Sequence, residues 1–136
     1  MAWIQPLVQK ASGDTAPTDP FDRRIDALVD ARVELYFQIA EMVRSAMLQS
    51  FSNRKIHEHL QNARRISRGQ IHDLFHNELK QFTPQECELR ITVIDQVLSF
   101  ASIDYVISER KHSRAELVRY LRGALRAALT IPEVTT

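Results

Sequence analysis

The chain has 136 residues, of which 44% are hydrophobic and 26% charged, with a formal net charge of +1. That length makes one domain able to bury roughly two thirds of its unfolded surface, and the near-neutral charge excludes global steering toward nucleic acid or anionic lipid. No apolar run reaches the ~18 residues of a membrane span, and the single Cys87 excludes an internal disulfide, which fits a cytoplasmic setting.

Residues 1–10 carry Trp3, Ile4, Leu7 and Val8 around Pro6, a short apolar piece that reads as the end of an element. Residues 11–19 are rich in Ser, Gly, Thr, Pro and Asp and predict an exposed loop. Asp19-Pro20-Phe21-Asp22 then offers a cap, a first-turn proline and an acidic third position, so a helix is expected from Phe21 to about Gln49. Phe21, Ile25, Leu28, Leu35, Ile39, Val43 and Met47 form its apolar stripe. A second stripe through Val29, Val33, Tyr36, Ala40 and Met42 widens the buried face, which places this helix centrally, with neighbours on more than one side.

Ser52 is the expected cap of the next helix, with Ile56, Leu60, Ala63, Ile71, Leu74, Phe75 and Leu79 as its stripe and Gly69 marking a bend or break. The stretch 52–70 holds Arg54, Lys55, Arg64, Arg65 and Arg68 against Glu58 alone. With no nucleic-acid motif beside it, that run reads as a solvated face. Thr83-Pro84-Gln85-Glu86 opens a third helix, expected to continue to about Ser108, and Ser113-Arg114-Ala115-Glu116 opens a fourth, from Arg114 to about Leu129. In both, a hydroxyl can accept from an orphan N–H while the Glu three residues on reaches back. Cys87, in the first turn of the third helix, reads as a small buried hydrophobe. Asp95 and Asp104 lie nine positions apart, half a turn round, and do not converge. Leu117, Leu121, Leu125 and Leu129 give the fourth helix one partner-facing stripe, and Gly123, Ala124, Ala127 and Ala128 give it a second, small-residue face suited to self-association. Short turns between the long elements favour an all-α, antiparallel bundle of four to five helices.

His72 and His76 share a helix face at i and i+4 with Asp73 between, a spacing that could ligate a metal. The expected Glu is missing and His112 is the one later His, so a pair of ordinary surface or pocket-edge histidines is the better reading. No Gly-x-Ser-x-Gly, phosphate loop or Cys–His pairing points to nucleophilic catalysis, and no cofactor is expected.

Three passages carry a resemblance. Asp19-Pro20-Phe21-Asp22-Arg23-Arg24-Ile25-Asp26-Ala27-Leu28-Val29 through Arg32, Leu35 and Tyr36 looks like the start of a long central helix, and Ala63-Arg64-Arg65 through Ile71, Leu74, Phe75 and Leu79 like a middle helix. Ser113 through Leu129, with Leu121-Arg122-Gly123-Ala124-Leu125-Arg126-Ala127-Ala128-Leu129, looks like a closing helix. Together, over roughly residues 20–130, the chain resembles the C-terminal ligand-binding and dimerisation domain of the TetR/AcrR family of bacterial transcriptional regulators.

The resemblance implies a non-enzymatic effector sensor that forms a homodimer and binds a small, mostly apolar molecule. DNA would be reached only through an N-terminal helix-turn-helix that this sequence does not include. It implies residues 1–19 as the stub of a connecting helix plus a loop, and residues 20–136 as the helical effector-binding and dimerisation domain. Cavity residues are expected at Tyr36, Phe37, Met42, Phe75, His76 and Phe100. The twofold interface, built from the last two helices, is expected at Ile91, Asp95, Leu98, Ser102, Arg119, Gly123 and Ala127. The alternatives are a standalone helical interaction module forming homo- or mixed dimers without ligand, and, behind it, a metal-dependent enzyme using His72 and His76.

Overall fold

The computed structural model describes residues 4–131, and over that span the chain is helical, with no strand. The elements are α1 (Ile4–Lys10), α2 (Phe21–Gln49), α3 (Arg54–Leu74), α4 (His76–Leu79), α5 (Pro84–Val97), α6 (Phe100–Asp104), a π-helical turn (Tyr105–Glu109) and α7 (Arg114–Leu129). Trp3, quoted with the N-terminal apolar piece, lies outside the described residues.

α2 is central, packed against α1, α3, α6 and α7. Its two halves serve different neighbours. Ile25, Leu28, Val29, Val33 and Tyr36 join Phe75, Ile94, Leu98, Ile103 and the α7 leucines 117, 121, 125 and 129 in the main core. Ile39 and Val43 form a second cluster with Val8 and Ala63, so α1 packs onto the body of the domain. Along the outside, Arg126, Arg122 and Arg114 of α7 pair with Asp22, Asp26 and Glu34 of α2 at 2.6, 2.9 and 2.8 Å. The numbers fall on one helix as they rise on the other, so these two helices run in opposite directions. Each exposed pair contributes little alone, typically ~0.2–1 kcal/mol.

The capping pattern decides the boundaries. Ser113 and Glu116 form the reciprocal capping box, and Thr83 Oγ accepts from the Glu86 N–H at 3.2 Å. Glu86 itself turns outward, its carboxylate accepting from Arg90 Nε at 3.1 Å. Two expected caps shift. Asp19 holds the preceding loop instead, its carboxylate accepting from Thr15 Oγ1 and the Ala16 N–H, both at 2.9 Å. Asn53, not Ser52, caps α3, accepting from the Lys55 and Ile56 N–H groups. The loop is pressed onto α2 at Gly13, whose φ of 86° and 2.5 Å clearance between a built Cβ and the Ala27 carbonyl oxygen leave room for glycine alone.

Two breaks differ from the sequence expectation. α3 runs through Gly69 unbroken and ends at Phe75, whose φ, ψ of −112°, 24° leave the helical region. The third long helix is in turn divided, because Ser99 adopts an extended ψ of 152° and its hydroxyl accepts from the Ser102 N–H, capping a new start. The segments on either side are bent by 42°. The second segment then widens into the π-helical turn, where Arg110 N–H donates to the Tyr105 carbonyl at 2.9 Å.

Candidate functional site

The corner at Ser99 opens a cavity of about 750 Å³ between α2, α3 and α6, with Val8 of α1 on its wall. Its floor is apolar because α2 turns one stripe to it, Leu35, Ile39, Val43 and Met47, opposite Leu60 and Ala63 of α3 and Phe100 and Ile103 of α6. Volumes of this order, apolar with a few placed polar groups, suit a small organic molecule. The rim includes Leu48 and Phe51, 74% and 92% exposed.

Two polar clusters are set into the wall. In the first, the buried Arg32 guanidinium donates to the Ala11 carbonyl at 3.0 Å, Ser67 Oγ at 2.8 Å and Gln70 Oε1 at 2.8 Å. Ser67 Oγ in turn donates to Asp95 Oδ1 at 3.2 Å, and Gln70 donates to the Val8 carbonyl at 2.7 Å, tying α1 to α3. Burial pushes the Arg32 guanidinium down to about 10, opposed by the Asp95 charge, so it stays protonated at neutral pH.

In the second cluster, Tyr36 Oη donates to Asp104 Oδ1 at 2.6 Å, and Arg44 Nη2 donates to the same oxygen at 2.5 Å and to Ser108 Oγ at 2.8 Å. The π-helical turn contributes Ser108, so the widened backbone supplies one corner of this network. Burial, then the bond to Asp104, raises the Tyr36 phenol above its usual range. The Arg44 hydrogen bonds, helped by Tyr36 and Ser108 against the opposing effect of burial, hold Asp104 down to about 2.

Because the folded pKa of Asp104 lies below its ordinary 3.8, its contribution to stability is complete above the unfolded value and is lost as pH falls toward 2. Urea midpoints measured at pH 5, 3 and 2 are expected to fall through that window. Asp104→Asn should flatten this part of the acid limb while lowering stability at pH 5.

The expected cavity residues divide. Tyr36 and Phe100 line the cavity, with ring centroids 5.3 Å apart. Phe37 and Met42 do not. Successive helical residues point ~100° apart, and the cavity side of α2 runs Arg32, Leu35, Tyr36, Ile39, Val43, so Phe37 and Met42 fall outside it and turn to solvent. Phe37 is covered instead by the Arg114 guanidinium at 5.0 Å. Phe75 is wholly buried in the main core, and His76 is exposed on α4 with its ring 5.9 Å from that of His72. Among the described residues no three His, Cys, Asp or Glu side chains gather as a metal site, so His72 and His76 lack a third ligand there. Cys87 is half-buried and donates to the Leu79 carbonyl at 2.8 Å.

The expected interface residues divide as well. Ile91 and Leu98 fill this chain's own core, and Asp95 turns to the cavity, because α5 presents that stripe to α3 and α7 of the same chain. Arg119, Gly123 and Ala127 are exposed on α7, and Ser102 is half-buried in a groove with Tyr105 and Tyr120. Beside them lie Leu89 and Val93, 56% and 44% exposed, on the outer side of α5. The i, i+4 spacing of Leu89 and Val93 was the available signal for that outer face. Arg32 and Arg44 had no comparable signal.

The chain matches no family model, no curated protein and no solved structure. Its function therefore has to be argued from the cavity and the exposed α5–α7 face. Among the described residues no single helix is long and apolar enough to cross a membrane.

Proposed function

We propose that this chain is an effector-sensing domain that takes a small, mostly apolar molecule into the α2–α3–α6 cavity and pairs with a second copy through α5 and α7. The reading follows the TetR/AcrR resemblance, in which the helices form an antiparallel bundle and occupancy is reported to a DNA-binding helix-turn-helix elsewhere. The cavity is the observation that carries it: a space of about 750 Å³ with an apolar floor and two internally satisfied polar clusters. Unlike a packed core, such a space gains dispersion contacts when filled. Tyr36 and Asp104 link the cavity wall on α2 to α6, which continues from α5 on the pairing face. A ligand shifts subunit arrangement only by its differential affinity for two arrangements.

Thermal unfolding against a diverse library of apolar compounds tests this. A ligand at 100 times its Kd should add about 2.7 kcal/mol, and Ala63→Phe, which fills part of the cavity, should abolish the shift while the variant still folds. The second reading, a standalone interaction module forming homo- or mixed dimers, is favoured by the exposed Leu89, Val93, Tyr105 and Tyr120. A dimer that no library member stabilises would select it over the sensor.

A further inference from the structure

Resting on the effector-binding reading, we propose that the ligand of this cavity is an amphipathic carboxylate. Its acid is held by Arg64, with Gln61 and His57 beside it, and its hydrocarbon body lies along Ile39, Val43 and Leu60. The arginines of the wall differ in how fully their hydrogen bonds are taken up. Among the described residues, three arginines line the cavity, 32, 44 and 64, together with the carboxylates of Asp95, Asp104 and, on the π-helical turn, Glu109. Arg32 donates to three neutral oxygens, and Arg44 is spent on Asp104, Tyr36 and Ser108.

Arg64 is different. Half exposed at the cavity edge, it is ion-paired with Asp95 Oδ2 at 3.6 Å from Nε, longer than a hydrogen bond, and among the described residues its guanidinium fork makes no hydrogen bond. Asp95 does not cancel it, because that carboxylate also faces Arg68 at 3.9 Å and the buried Arg32, and accepts from Ser67 Oγ. Gln61 and His57 line the cavity on the same edge of α3, at one and two turns from Arg64.

The surroundings fit an amphiphile rather than a wholly apolar guest. The basic run of α3, Arg54, Lys55, Arg64 and Arg65 against Glu58, attracts an anion to this edge. The rim at Leu48 and Phe51 offers exposed apolar surface to a hydrocarbon entering beside it. One open guanidinium matches one negative charge in a planar, two-oxygen group. A phosphate dianion would need a second free cation, and Arg32 and Arg44 are committed.

The test is calorimetric titration of the full chain with dodecanoate, its methyl ester and dodecyl phosphate, below their micelle concentrations. Dodecanoate is expected to bind roughly tenfold or more tighter than the ester, the scale of one charge-assisted hydrogen-bonded pair. Arg64→Gln should bring the acid to the ester's affinity and leave the ester unchanged. Arg64→Lys should keep part of the preference, and Lys80→Gln, exposed and off both the cavity wall and the basic run, should keep all of it. Equal binding of acid and ester, a preference that survives Arg64→Gln, or tighter binding of the phosphate would overturn the carboxylate assignment while leaving the cavity reading intact. If none of the three binds but the apolar library yields ligands, the assignment also falls. If nothing binds at all, the effector-binding reading falls with it.

Discussion

Arg32→Met is expected to cost about 3–5 kcal/mol of folding stability, the range for removing one partner from a buried charged network. Methionine fills much of the same volume, so the loss is polar rather than steric. The Ala11 carbonyl, Ser67 Oγ and Gln70 Oε1 all lose their donor, and Asp95 loses the buried cation that faces it. Leaving a buried acceptor unpaired costs about 1–3 kcal/mol. Arg32→Lys should fall between, because an ammonium keeps the charge but cannot reach three acceptors with the fixed geometry of a guanidinium fork. Urea unfolding measures the loss.

A second readout separates this from a generic core defect. Arg32 holds the end of α1 through Ala11, and Gln70 holds it through the Val8 and Gln9 carbonyls. In Arg32→Met, proteolysis before Pro20 should accelerate more than cleavage within α7. A loss under about 1 kcal/mol, with unchanged cleavage before Pro20, would mean that the network is not what fixes α1; surface changes away from such features stay near ±0.5 kcal/mol.

What the sequence made readable was local. The Thr83 and Ser113 caps, the extent of α2 and the leucine stripe of α7 depend on residues within a turn or two of each other, and the structure has them where the spacing puts them. The division of the third helix was not readable, because Ser99 and Ser102 are equally acceptable as small polar residues inside a helix. Only the turned ψ of Ser99 makes its hydroxyl a cap. The cavity was half readable. Periodicity marks a wide apolar face on α2 but not which edge meets a neighbour, so Tyr36 was separable from Phe37 only once α6 was placed. The clusters around Arg32 and Arg44 were unreadable for another reason. Their partners lie 35 and 60 residues away, and a basic residue on a helix carries no mark of such a partner.

Phe75→Ala should show the opposite of a cavity substitution: a large loss of stability with ligand affinity unchanged. Phe75 is fully buried, packed edge-on against Phe21 at 6.3 Å between centroids, with the Arg24 guanidinium 5.5 Å from its ring. That arginine donates to the Leu74 carbonyl at 3.0 Å and to both oxygens of Glu78 at 2.6 and 2.8 Å. The Phe75 ring therefore fills the core and also forms the apolar wall of an ion pair fixing the α3–α4 corner to α2. Truncation to alanine typically costs about 3–5 kcal/mol for a phenylalanine in such a site, whereas Phe75→Leu should cost under about 1.5 kcal/mol if the corner repacks. Phe100→Ala supplies the contrast. Phe100 is half-buried and faces the cavity, so its loss should weaken binding of any apolar ligand more than it lowers the urea midpoint. Equal loss of affinity in both variants would place Phe75 in contact with the ligand and redraw the site. Loss confined to Phe100→Ala would locate binding on the α2–α3–α6 side of the domain, where the second apolar cluster, together with Tyr36 and Ile103 from the edge of the main core, sets the shape of the space.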